Sequence, residues 1–271
     1  MNGIQDLNPF SQLIAALDPW LDQIVIVGGW AHQLYRLHPH ARALDYGPLT
    51  TLDTDVAIPA RMPVGDEDIR QRLVAQGFVE EFVGDHRPPA IHYHLGSGKT
   101  GFYAEFLTPL TGGEYDRKSN RKATMEIAGI ASQRLRYIEL LLHQPWSIDF
   151  KVDEKTGSVR IANPVSFIAP KVLIQGKRER EDRAKDILYM HDTLEVFGSR
   201  LKELRDLWQK AVEPQLPVRA GRTVSKASES LFGQLSDDIR RATEISPERA
   251  LSPEVIRIAC RYGFNQVFVR E

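Results

Sequence analysis

The sequence predicts an α/β (α+β) protein with a mixed sheet flanked by helices, followed by a mainly helical C-terminal domain. Three observations carry that expectation. Up to about residue 163, short β-branched or alternating runs such as "QIVIV", "LDTDVAI" and "AIHYHL" are interleaved with segments of helical period. Glycine and proline punctuate those runs, at Gly28-Gly29, Pro59 and Gly77. From Pro164 the texture changes, and "PVSFIAPKVLIQGKREREDRAKDILYMHDTLEVF" carries helical rather than strand signals. The expected division is therefore a first domain over residues 1–163 and a helical one over residues 164–271.

Taken in order, residues 4–18 space Ile4, Leu7, Phe10, Leu13, Ile14 and Leu17 at helical intervals, with Pro9 within the run. "QIVIVGG" reads as a buried strand that turns sharply at two glycines into a helix, "WAHQLYRL". "LDTDVAIP" is a second strand stopped by Pro59, "DEDIRQRLVAQGF" an amphipathic helix closed near Gly77, and "FVEEFV" a strand beyond it. "AIHYHL" and "FYAEFL" flank the polar stretch "GSGKTG". That stretch resembles the end of a phosphate-binding loop, but Tyr93 stands where the first glycine of G-x-x-x-x-G-K-[ST] belongs, and a strand rather than a helix follows. A hairpin turn with Lys99 facing solvent is the better reading. "TPLTGGEYDRKSNRKAT" reads as a loop, and "RLRYIELLLHQPWSIDFKV" with "GSVRIANP" as strands or strand–helix mixtures. Helices then continue through "SRLKELRDLWQKAV", "SKASESLFGQLSDDIRRAT" and "SPEVIRIACRYGF".

Composition narrows the function classes. With 42% hydrophobic and 26% charged residues, the 271-residue chain is globular and long enough to bury a proper core. A formal net charge of −1 supplies no whole-chain field for nucleic acid or anionic membrane, so neither partner is indicated. The single cysteine, Cys260, excludes an intrachain disulfide framework or a cysteine-built zinc site and points to a reducing, cytoplasmic setting. "MNGIQDLNPF" lacks the features of a signal peptide, and no apolar run reaches membrane-spanning length.

The residues that point to chemistry are Gly28-Gly29 and Asp53-x-Asp55. On a strand, the i, i+2 spacing puts both aspartates on one face, roughly 7 Å apart along the chain. Leu52, Val56 and Ile58 make that strand mostly buried, and unpaired carboxylates there would be costly unless a cation sits between them. Strand-borne aspartates suit Mg²⁺. Gly28 and Gly29, at the end of the preceding strand, can bring backbone N–H groups against a phosphate. A phosphate site and a metal site on neighbouring strands describe phosphoryl or nucleotidyl transfer.

At these residues the chain resembles the nucleotidyltransferase superfamily, the fold of DNA polymerase beta and of antibiotic-modifying adenylyltransferases. Its pattern is an apolar strand, Gly-Gly or Gly-Ser, a short helix, D-x-D on a second strand and a third acid on a later strand. "GGWA" is similar to lincosamide and aminoglycoside nucleotidyltransferases. "EFLTPLTGG", "PVSFIAPKVLIQGKR" and "RAKDILYMHD" are similar to largely uncharacterised bacterial nucleotidyltransferases, and the later helices to abortive-infection type nucleotidyltransferases. The resemblance covers about residues 20–195. It departs at the third acid, Glu105 where Asp is common, and at Leu49, where an arginine is often found; Thr51 is retained. It implies that Asp53, Asp55 and Glu105 bind two Mg²⁺ ions and carry catalysis. It also implies that Gly28, Gly29, Lys171 and Lys185 bind the nucleotide, with Asp186 beside Lys185 organising the helix. The implied reaction moves a nucleoside monophosphate from an NTP, ATP foremost, to an acceptor hydroxyl and releases pyrophosphate. Small molecules, proteins and tRNA ends are all acceptors within the superfamily.

Other readings compete. Asp149 in "SIDFKV" is a rival third acid, and Asp53 and Asp55 could be exposed acids on an edge strand. His92 and His94 share a strand face and could ligate zinc in a hydrolase, against the plainer reading of a half-exposed hairpin face. His38 and His40 lie in a proline-containing loop. "KREREDRAKD" reads as a solvated helix with i, i+4 ion pairs, and "TGGEYDRKSNRK" as either a basic loop over the site or a surface connection. A protein that kept the fold but only binds nucleotide or a partner is the alternative to an enzyme.

Overall fold

The computed structural model describes residues 5–63, 65–84, 88–96, 101–115, 119, 121–152 and 155–270. The chain forms two compact units, one built from Ile4–Leu34 with Thr50–Ala162 and the other from Tyr35–Leu49 with Asn163–Glu271. The expected mixed sheet flanked by helices, and the helical C-terminal region, are both present.

The first unit contains the sheet. Helix α1 (Asn8–Leu17) opens with Pro9, tolerated there because the first N–H groups of a helix have no partner inside it. It buries Phe10, Leu13, Ile14 and Leu17. The Phe10 ring stacks on Trp30 at 4.6 Å and meets Phe150 edge-on at 5.4 Å. Strand β1 (Val25–Val27) is buried throughout and runs directly into helix α2 (Gly28–Leu34). Strand β2 (Asp53–Ala57) follows, then helix α3 (Ile69–Ala75), whose start is fixed by a reciprocal cap. There the Gln71 N–H donates to Asp68 Oδ1 at 2.8 Å, and the Asp68 N–H donates to Gln71 Oε1 at 2.9 Å.

The remaining elements are strands β3 (Phe78–Val83), β4 (Ala90–Leu95), β5 (Tyr103–Pro109), β6 (Thr124–Ile127) and β7 (Ile130–Leu135), the short helix α4 (Ile138–Leu141), and strands β8 (Trp146–Val152) and β9 (Lys155–Ile161). Among the described residues nine strands make one sheet, with the order β3-β4-β5-β2-β1-β9-β8. Pairs β2/β5 and β1/β9 are parallel and the others on that path antiparallel. Strand β5 is the branch point. Its Tyr103–Leu107 stretch pairs with β2 on one edge, while β4 borders its start and β7 its end on the other.

The hairpin read from "AIHYHL" and "FYAEFL" is present as β4 and β5, closed by the Leu95 N–H donating to the Phe102 carbonyl at 2.8 Å. Residues 97–100, Lys99 among them, lie outside the described residues. The β6/β7 hairpin was not anticipated. Its two-residue turn places Ala128 at φ 48° and Gly129 at φ 80°, a mirror-image turn that usually advertises itself with Asn-Gly or Asp-Gly.

The second unit is helical: α5 (Pro164–Ile174), α6 (Arg180–Val196), α7 (Leu201–Leu207), α8 (Val218–Ser225), α9 (Ala227–Ser230), α10 (Asp237–Ile245) and α11 (Pro253–Phe268). Side-chain caps start three of them, with Asn163 accepting from the Ser166 N–H, Ser236 from Ile239 and Ser252 from Val255. The core joins Tyr35, Phe167 and Phe197 through edge contacts and Trp208, Phe264 and Phe268 through a second set. "KREREDRAKD" forms an i, i+4 pair, Arg178 to Asp182, but also reaches another helix, with Arg183 Nε 2.9 Å from Asp238 Oδ2.

The helix α6 interior carries a buried carboxylate. Asp192 lies 2.7 Å from Arg249 Nη1 and 3.0 Å from His191 Nδ1, and accepts from the Tyr46 hydroxyl at 3.4 Å. The Arg249 and Asp192 side chains are 2% and 0% exposed, so removing Arg249 takes a guanidinium partner from a carboxylate held away from water. Arg249→Met is predicted to lower the unfolding free energy by about 3–5 kcal/mol in urea titrations. A loss of under about 1 kcal/mol, the value of a surface pair, would contradict this account.

Candidate active site on the sheet

Strand alternation separates the functional face from the core. In β2, Thr54 and Val56 are fully buried, whereas Asp53 and Asp55 project from the other side. In β5, Ala104 and Phe106 are buried in the same way and Tyr103 and Glu105 project. The parallel register puts Asp53 beside Tyr103 and Asp55 beside Glu105. As a result, carboxylate oxygens of Asp53, Asp55 and Glu105 all lie within 4.8 Å of one another, on half-buried side chains.

The glycine pair shapes the wall next to them. Val27, the last residue of β1, pairs with Asp55, and Gly28 follows at φ 60°. A Cβ on Gly28 would stand 1.8 Å from Asp55 Oδ2, so both the backbone conformation and the space demand glycine. Gly29 is buried in the first turn of α2.

Several polar groups orient the acids. Thr51 Oγ1 donates to Asp53 Oδ1. Gln133 Nε2, on β7, donates to Glu105 Oε2 at 2.6 Å, and His92 Nε2, on β4, lies 3.4 Å from the same oxygen. Burial pushes the Glu105 carboxyl up. Hydrogen bonds with His92, Asp55 and Gln133 outweigh it and hold the group below its ordinary range. The hydrogen bond to Glu105 in turn raises His92. Burial, then the charges of Asp53, Glu105 and Asp55, push the Tyr103 phenol up to about 12, so it stays protonated. His92 stacks on the Tyr103 ring at 4.7 Å, and His94 Nε2 lies 2.7 Å from Glu81 Oε2.

Of the residues expected at the site, Asp53, Asp55, Glu105, Gly28 and Gly29 are all in the sheet unit, and the three acids converge. Asp149, the rival third acid, sits on β8 with three strands between it and β5. Lys171 and Lys185 belong to the helical unit. There Lys171 Nζ is 2.7 Å from Asp186 Oδ1 and lies over the Phe167 and Tyr189 rings, and Arg178 Nε lies 3.3 Å from the other Asp186 oxygen. Lys185 Nζ lies 5.7 Å from the Tyr189 ring centroid. Sequence reasoning missed Gln133 and the pairing of His92 with Glu105. The only signal for Gln133 was the weak alternation of "IASQRL", which places Gln133 on the Glu105 side once β7 pairs with β5.

The donor set fits a hard divalent cation. It consists of carboxylate oxygens gathered from two strands, the ligand type Mg²⁺ takes, and glycine at position 28 leaves Asp55 its place among them. A sequence model of the family described as Nucleotidyltransferase matches residues 7–213 of the chain. The protein belongs to the nucleotidyltransferase family. It is accordingly an enzyme of nucleotidyl transfer, and the matched span contains all seven residues expected at the site. No curated protein matches the chain. Among the described residues, no helix is long and apolar enough to cross a membrane.

For this nucleotidyltransferase, Gly28→Ala is predicted to displace Asp55 and to cut nucleotidyl transfer by about 100-fold, the effect of a 1 Å misplacement in a reacting centre. Wild-type rates in Gly28→Ala would show that the position of Asp55 does not matter to turnover.

Proposed function

We propose that the protein is a Mg²⁺-dependent nucleotidyltransferase that moves a nucleoside monophosphate from an NTP, ATP foremost, to an acceptor hydroxyl and releases pyrophosphate. The observation that carries this reading is the convergence of Asp53, Asp55 and Glu105 on one face of paired strands. In this proposal the three carboxylates hold two Mg²⁺ ions, which when bound neutralise triphosphate charge and polarise the reacting phosphate. Asp53 and Asp55 would hold the ions together with Glu105. Glu105, kept ionised by its neighbours, faces the acceptor and receives the proton of its hydroxyl. The acceptor oxygen bonds to the α-phosphorus as the bond to the pyrophosphate oxygen breaks on the opposite side. Gly28 and Gly29 bound the nucleotide side of the centre. Lys171 and Lys185 are assigned to nucleotide binding on the resemblance alone.

Residues 1–163 are proposed as the catalytic domain and residues 164–271 as its helical companion, in a cytoplasmic protein without a membrane partner. The acceptor is a small molecule, a protein or a tRNA end; net charge near zero favours no nucleic acid.

Incubation with each NTP and Mg²⁺, followed by assay of pyrophosphate release and self-labelling, tests the proposal. Asp53→Asn, folded by circular dichroism, is expected to lose about 1,000-fold or more, the scale of several kcal/mol of charge stabilisation. Chelation of divalent ions should abolish turnover in the wild type. Undiminished turnover in Asp53→Asn would sink the assignment. Nucleotide binding without pyrophosphate release from any NTP would instead identify a non-catalytic binding protein on the same fold.

A further inference from the structure

We propose that Glu81, His92 and His94 form a second metal site, selective for Zn²⁺ or a similar borderline transition ion, on strands β3 and β4. The β3/β4 register sets Glu81 opposite His92, and the i, i+2 spacing brings His94 to the same side. One ligand atom from each residue lies within 4.8 Å of the other two. A tetrahedral ion with bonds of about 2.0 Å holds its ligands about 3.3 Å apart, a rearrangement within reach of side-chain rotation.

The imidazole of His94 is open to a ligand role. Its Nε2 is 2.7 Å from Glu81 Oε2, yet among the described residues neither of its shielded ring nitrogens completes an aligned hydrogen bond. Two imidazoles and one carboxylate select zinc-like ions, whereas the all-carboxylate trio selects magnesium-like ones. Three protein ligands also leave a fourth position for water or substrate. His92 stands within reach of both Glu105 and Glu81, so Glu81 and His94 are the residues that distinguish the second site.

The test uses the full chain, stripped of metal by a chelator and titrated with Zn²⁺ against a fluorescent zinc indicator; it does not depend on catalysis. Wild type should bind one equivalent tightly enough to compete with the indicator. Glu81→Gln and His94→Ala should weaken that equivalent by about 100-fold, the upper end of what even outer partners of a ligand contribute, and Asp53→Asn should retain it. Glu81→Gln, at a half-exposed position and with the side-chain shape kept, decides the outcome if His94→Ala fails to fold. Absence of competition by wild type, unchanged binding in Glu81→Gln, or loss of the equivalent in Asp53→Asn would each overturn the site.

Discussion

The parallel ladder between β2 and β5 sets Asp55 opposite Glu105 and keeps Asp53 on the same face, and it does so against the mutual repulsion of three carboxylates. A slip of one residue in either strand would turn its acids into the core. What prevents the slip is the opposite face, where Thr54, Val56, Ala104 and Phe106 are buried. On the functional face, Thr51 and Gln133 hold Asp53 and Glu105 with neutral hydrogen bonds, and His92, whose pKa Glu105 raises, stands beside them. The sheet thus supports an electrostatic arrangement that is poor for stability and apt for binding a cation.

The helical unit treats its buried acids differently. Asp186 is matched by Lys171 and Arg178, and Asp192 by Arg249 beside His191. Burial of a carboxylate is costly, and in the helical unit cationic side chains lie against these two acids.

Much of this was legible in the sequence because it rests on local period and spacing. Asp53-x-Asp55 on a buried run specifies two acids on one face, and "VIVGG" specifies a strand that ends in a left-handed backbone that favours glycine. The β4/β5 hairpin could be read through the misleading "GSGKTG" because apolar alternation flanks it on both sides. Long-range pairing was less legible. Nothing local to "IASQRL" says that β7 joins β5 beyond the end of β4, yet that pairing delivers Gln133 to Glu105. Nor does Ala128 announce a turn, since an alanine at positive φ has no sequence signal of its own. His92 was visible as a potential ligand, but its approach to Glu105 depends on the order of β4 and β5 in the sheet.

Thermal unfolding of the metal-free protein as a function of added Mg²⁺, compared between wild type and Asp55→Asn, tests most directly whether the three acids form a cation-binding centre. If they do, Mg²⁺ relieves their repulsion, so the wild-type midpoint rises with Mg²⁺ concentration while Asp55→Asn, already relieved of one charge, responds weakly. Equal responses of the two proteins, or no response of the wild type at Mg²⁺ concentrations that support turnover, would contradict the account.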